Sequence, residues 1–205
     1  MKIKVCGLTD AENIQSIVNL SIDFVGFIFY PNSLRNIKLT EKLKVTILDI
    51  NTTKVGVFVN DEILNIQQIS KTLKLDYVQL HGNENVKFCK SVNVFSKVIK
   101  VFKITDCFDF SICKKFQFVD YFLFETKGKL AGGNGTQFDW GLLREYNLDV
   151  PFFLSGGISL KDIESIKQLK LKQLKVVDLN SGFEIKPGLK NIELLKQFKH
   201  ELSNK

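Results

Sequence analysis

Eight short apolar runs, each followed by a longer stretch of helical or turn character, are the feature that most constrains this chain. The runs are Lys2–Cys6, Phe24–Phe29, Thr53–Val59, Tyr77–Leu80, Phe95–Val101, Tyr121–Glu125, Phe152–Ser155 and Lys175–Leu179. They are nearly continuously apolar and rich in β-branched and aromatic residues, the composition of strands buried on both faces. Between them lie segments such as Ala11–Leu20, Glu62–Lys74, Leu160–Leu169 and Asn191–Leu202, in which apolar residues recur every three or four positions. Side-chain oxygens able to cap a helix stand at Thr9-Asp10, Thr40-Glu41 and Asn60-Asp61. Alternation of this kind builds a parallel sheet covered by helices. Eight such units in 205 residues predict an α/β fold, a single (β/α)8 TIM barrel spanning residues 1–205. An open doubly wound sheet uses fewer strands and a glycine-rich turn after the first one. Here that turn reads Cys6-Gly7-Leu8-Thr9, and the glycine-rich turns come late.

The formal charge of +7 raises the question of a nucleic-acid partner. The lysines are scattered over nearly every amphipathic segment, with no arginine tract, zinc-ligand spacing or nucleic-acid module. A lysine-rich solvated surface is therefore expected, with no nucleic-acid partner and a field that favours encounter with an anionic small molecule. No apolar run approaches the roughly 18 residues that span a bilayer. The opening Met1-Lys2-Ile3-Lys4-Val5 enters a strand pattern at once instead of a signal peptide, so a cytoplasmic protein with no membrane partner is expected. Cys6, Cys89, Cys107 and Cys113 show no CxxC spacing and are accompanied by two histidines, which argues against both a metal site and a disulfide framework. The last three read as ordinary small, semi-buried residues.

A TIM barrel builds its active site at the C-terminal ends of its strands. Polar residues gather there: Cys6, Asn60, Gln79, His81, Glu125, Ser155 and Asp178 each end or follow a predicted strand. The loop after strand seven, Ser155-Gly156-Gly157, leads to a helix start near Ser159, and the loop after strand eight is Asn180-Ser181-Gly182. Glycines let backbone amides approach an anion, and barrel phosphate sites are frequently built from these two loops. Gly156, Gly157, Ser181 and Gly182 are the candidate phosphate binders; tight turns that need positive φ are the alternative. The Gly132-Gly133-Asn134-Gly135 cluster suits a lid over substrate or, more plainly, a surface connection.

At these places the sequence resembles the phosphoribosylanthranilate isomerase family. The matching segments are Lys4-Val5-Cys6-Gly7-Leu8-Thr9, Gly26 to Pro31 running on to Ser33 and Arg35, Val55 to Asn60, and Val78-Gln79-Leu80-His81-Gly82. They continue through Gly132 to Gly135 with Phe138-Asp139-Trp140, Leu154-Ser155-Gly156-Gly157, and Val177 to Gly182 extended by Glu184, Pro187 and Gly188. The resemblance implies a cofactor-free Amadori rearrangement of a phosphorylated aminosugar, N-(5-phosphoribosyl)anthranilate. It places Cys6 as general base and Glu125 in the position of the general acid, where the family usually has aspartate. Arg35 matches the arginine that engages the anthranilate carboxylate, and Asp178 a substrate-binding aspartate. Lys4, Gln79 and His81 stand where they would line the same pocket. If strand one alternates regularly, Lys4 faces the same side as Cys6 and its ammonium would favour the thiolate. Leu34 stands where the family commonly has proline, and Val176 where it often has glycine. A barrel that binds a phosphate ligand without efficient catalysis is the competing function, motivated by Glu125. An isomerase of an imidazole-bearing aminoaldose is disfavoured, because such barrels use aspartate where Cys6 stands. Monomer and homodimer are both compatible with a chain of this kind.

Overall fold

The computed structural model describes residues 1–126 and 139–204. Eight parallel strands close into a barrel: β1 (Lys2–Cys6), β2 (Phe24–Ile28), β3 (Thr53–Phe58), β4 (Tyr77–Leu80), β5 (Lys97–Ile104), β6 (Tyr121–Thr126), β7 (Phe152–Ser155) and β8 (Leu174–Leu179). The seam is shut by β1 on β8, with Lys4 level with Asp178. A short hairpin, β9 (Glu184–Lys186) and β10 (Leu189–Lys190), follows the last barrel strand.

Side chains alternate across each strand. The inward set forms a small apolar plug of Phe24, Val55, Ile99, Val101, Leu123, Phe153 and Val176, with Tyr77 and Tyr121 against it. The outward set merges with the helices into the larger core. The covering helices are α1 (Ala11–Asn19), α2 (Glu41–Asp49), α3 (Ile63–Leu73), α4 (Val86–Asn93), α5 (Ile163–Leu169) and α6 (Ile192–Ser203). Asp10 and Thr40 cap α1 and α2 as their chemistry predicts, accepting from the amides of Asn13 and Leu43. Asn60-Asp61 does not cap α3. The residue before that helix is Glu62, and Asn60 turns into the left-handed region at φ 49° to join a loop contact.

Two crossovers depart from the helical expectation. Phe110–Phe116 and Trp140–Glu145 are 3-10 helices, so β5–β6 and β6–β7 lack a full α-helical cover among the described residues. The local cause is spacing: Phe110, Cys113 and Phe116 are buried at intervals of three, the period of a 3-10 helix. Aromatic rings fill the volume. Phe102 meets Phe108, Phe116 and Phe122 edge-on, and Tyr146 packs on Phe110, Phe124 and Phe152 while its hydroxyl donates to Val150 O at 2.6 Å. β5 also begins and ends later than the apolar run, because Phe95 closes the turn after α4 and Lys103 and Ile104 pair with Glu125 and Thr126. Cys89 and Cys113 are buried, whereas Cys107 is exposed, contrary to its semi-buried reading. Burial pushes the Cys89 and Cys113 thiols up to about 11 and about 12, which leaves both as poor nucleophiles.

Candidate active site

The inward residues at the C-terminal ends of the strands replace the apolar plug with polar groups. β1 brings Lys4 and Cys6, β4 brings Gln79 and leads to His81, and β6, β7 and β8 bring Glu125, Ser155 and Asp178. Lys4 is fully buried, and its ammonium donates to Asp178 Oδ2 at 2.9 Å and to Gln79 Oε1 at 2.9 Å. Gln79 Nε2 lies 2.9 Å from His81 Nδ1, and His81 Nε2 lies 2.8 Å from Glu125 Oε2. A continuous polar chain therefore crosses the mouth, from Asp178 through Lys4, Gln79 and His81 to Glu125.

Cys6 sits beside this chain. A Cβ on Gly26, its register partner, would stand 2.7 Å from Cys6 Sγ, so the glycine makes the space that the sulfur occupies. Burial pushes the Cys6 thiol up; Lys4 pulls it back, Asp178 pushes it further, Lys190 opposes, and burial prevails. The thiolate-favouring pull predicted from Lys4 is thus present but outweighed. Burial works against the Lys4 ammonium too, yet Asp178 and then Cys6 outweigh it and hold its pKa above the ordinary lysine value.

The two carboxyls of the mouth are pushed in opposite directions. Burial raises Asp178 above the ordinary range despite Lys4, and its Oδ1 is buried without a hydrogen-bond partner. Burial also acts upward on Glu125, but the facing His81, then Lys103 and Lys4, outweigh it and hold that carboxyl below the usual range.

Beyond the strand ends, Gly156 and Gly157 both have positive φ, at 100° and 67°. A Cβ on Gly156 would stand 2.7 Å from Thr126 N, so this turn tolerates no side chain. Ser181–Phe183 forms one 3-10 turn whose Gly182 lies against the carbonyl of Ile158, bringing the two predicted phosphate loops together. Ser159 N donates to Asp162 Oδ2 at 2.7 Å, so that amide is spent on a cap. Gly132, Gly133, Asn134 and Gly135 lie outside the described residues.

Residues 3–201 match the family model described as N-(5'-phosphoribosyl)anthranilate isomerase. The chain belongs to this isomerase family. A curated isomerase of that name from Parabacteroides distasonis is 42% identical over 202 residues, covering 97% of this chain and 91% of the relative. Among solved structures, the isomerase from Thermotoga maritima superposes with a TM-score of 0.87 at 30% identity, covering 98% of each chain. Another phosphoribosylanthranilate isomerase, solved in complex with reduced 1-(o-carboxyphenylamino)-1-deoxyribulose 5-phosphate, gives 0.84 at 28% identity, again over 98% of each chain.

Some of the isomerase's buried polar groups escape a sequence reading. Lys190 is fully buried on β10 and donates to Asn180 Oδ1 and Glu184 Oε1, each at 2.7 Å. Glu184 also receives Nε and Nη2 of Arg35, the shortest contact being 2.6 Å. Arg35 is therefore held in a largely buried ion pair, and Nη1 takes no part in it. Gly7, at φ 79°, makes this packing possible, since a Cβ there would stand 2.8 Å from Arg35 Cδ and 3.0 Å from Asn180 Oδ1. On the other side of the mouth, Glu84 accepts from the amides of Asn60 and Gly82 and from Lys100 Nζ. Asn60 thus steadies the loop that carries His81 and does not join the polar chain. No helix among the described residues is long and apolar enough to cross a membrane.

Proposed function

We propose that the isomerase converts N-(5-phosphoribosyl)anthranilate to 1-(2-carboxyphenylamino)-1-deoxyribulose 5-phosphate in tryptophan biosynthesis, with Cys6 as general base and Glu125 as general acid. The observation that carries this reading is a buried thiol beside the Lys4-centred chain and a carboxyl at the end of it, on one barrel mouth overlooked by two adjoining glycine turns. Glu125 protonates the furanose ring oxygen and the ring opens to a Schiff base. Cys6 then takes the proton from C2, and the enolamine tautomerises to the ketone. The unpartnered Asp178 Oδ1 supplies an acceptor for a sugar hydroxyl. Gly156, Gly157, Ser181 and Gly182 form the phosphate cradle, and Arg35 Nη1 is the group offered to the anthranilate carboxylate.

Loss of the fluorescent anthranilate adduct measures turnover directly. Steady turnover supports the reading, whereas tight binding of a reduced product analogue without turnover supports a binding barrel. Glu125→Gln should lower kcat by roughly 10²- to 10⁴-fold, the usual range for a lost general acid. Glu125→Asp should lower it by on the order of 10²-fold, because the carboxyl withdraws by about a bond length. A large gain in the aspartate variant would show that the glutamate is the weaker acid.

The resting protonation has its own kinetic signature. Cys6 is raised and Glu125 lowered, so the free enzyme rests as thiol and carboxylate. The working form, thiolate and carboxylic acid, holds the same number of protons, with one of them moved. Its share is constant between the two pKa values. kcat/KM, which reports the free enzyme, should therefore be flat across the neutral range. It should fall on the acid side where Asp178, raised above the ordinary carboxylate range, takes up a proton, and on the alkaline side only above the ordinary thiol range. A narrow bell at neutral pH would contradict this assignment.

A further inference from the structure

Gln79 and His81 emerge from the sequence as substrate-lining residues, yet their polar atoms are turned toward the protein. We propose that they are positioning residues. Lys4 orients the Gln79 amide, Gln79 holds His81 as the neutral Nε2–H tautomer, and His81 aims Glu125 at the reacting sugar. This rests on the reading of Glu125 as the acid.

An ammonium can only donate, so the Gln79 atom 2.9 Å from Lys4 Nζ must be the carbonyl oxygen. The Gln79 NH2 group then faces His81 Nδ1 at 2.9 Å. That nitrogen must accept, and it carries no proton. The ring proton is left on Nε2, directed at Glu125 Oε2 at 2.8 Å. A second ring proton would set an N–H against the Gln79 amide protons, leaving two donors face to face. Every hydrogen bond therefore runs one way, from the fully buried Lys4 to the half-buried Glu125. Lys4 cannot reverse it, because an ammonium only donates and its other partner, Asp178, is an acceptor as well. The arrangement also suits a glutamate at this position. A carboxyl one methylene shorter would draw back from His81 Nε2, which the glutamate reaches at 2.8 Å.

The test uses the full chain, whose histidines are His81 and the exposed His200. In a His200→Gln background, nitrogen-15 NMR at neutral pH reads the tautomer of His81 alone. The expected result is one protonated ring nitrogen, Nε2, and one bare nitrogen, Nδ1. An Nδ1–H tautomer or an imidazolium would overturn the proposal, with no active-site variant needed. Gln79→Glu gives Nδ1 an acceptor and should convert His81 to the imidazolium. The Nε2–H bond to Glu125 is kept, but the added positive charge favours the Glu125 carboxylate over the acid, so kcat should fall by about 10-fold or more while KM stays within about twofold. A rise in KM at unchanged kcat would make Gln79 a substrate-binding residue and refute the proposal. If the parent chain shows the Nε2–H tautomer but fails to turn over N-(5-phosphoribosyl)anthranilate, the proposed reaction fails separately from the geometry.

Discussion

Cys6→Ser is expected to lower kcat by on the order of 10³-fold, the middle of the range for removing a general base. A hydroxyl releases its proton far less readily than a thiol, and the burial that already raises Cys6 would raise serine further. The fold should tolerate the change. The sulfur occupies the space left by Gly26, and the smaller oxygen creates no clash there. KM and the thermal midpoint should therefore move little, so that the loss is assigned to chemistry. If the folded serine variant retained most of its turnover in the adduct-fluorescence assay, Cys6 would not be the base.

Lys4→Met is expected to cost about 3–5 kcal/mol of stability, the usual penalty for removing one partner of a buried pair. Methionine matches the lysine stem but leaves Asp178 ionised, buried and without its cation. The pH dependence follows from the same carboxyl. Asp178 already titrates above its ordinary value in the folded state, and without Lys4 it would titrate higher still. The folded chain then binds a proton that the unfolded chain has released, so stability falls as pH rises from the ordinary aspartate range toward the folded pKa. Urea unfolding should show a larger deficit at mildly alkaline pH than at mildly acidic pH. Lys4→Met combined with Asp178→Asn should recover part of the loss. A deficit independent of pH would mean that lost packing, and not the stranded carboxylate, dominates. Turnover should fall as well, since Gln79 loses the donor that orients it.

The barrel was legible because strand burial on both faces leaves a nearly continuous apolar run, which repeats eight times. The rim was legible for a related reason, since a polar residue ending such a run has few places to point except the mouth. Cys6, Gln79, Glu125 and Asp178 all obey that logic. The 3-10 crossovers are a different case. Their three-residue spacing at Phe110, Cys113 and Phe116 is written in the chain, but a search for helical periodicity passes over it. Lys190 carries no local signal at all. It is one lysine in a lysine-rich chain, and only its distant partners Asn180 and Glu184 make its burial tolerable. Arg35 shows the same limit: its charge is visible in sequence, while its ion pair with Glu184 depends on the hairpin folding back.

The bond between Lys4 and Asp178 joins the first barrel strand to the last. Lys4, Gln79 and His81 lie in the first half of the chain, and Glu125 and Asp178 in the second. Neither half alone contains the constellation, so until the eighth strand docks Lys4 lacks the carboxylate that accepts from it. The polar chain across the mouth is thus a property of the finished circle, complete only when the first and last strands have met.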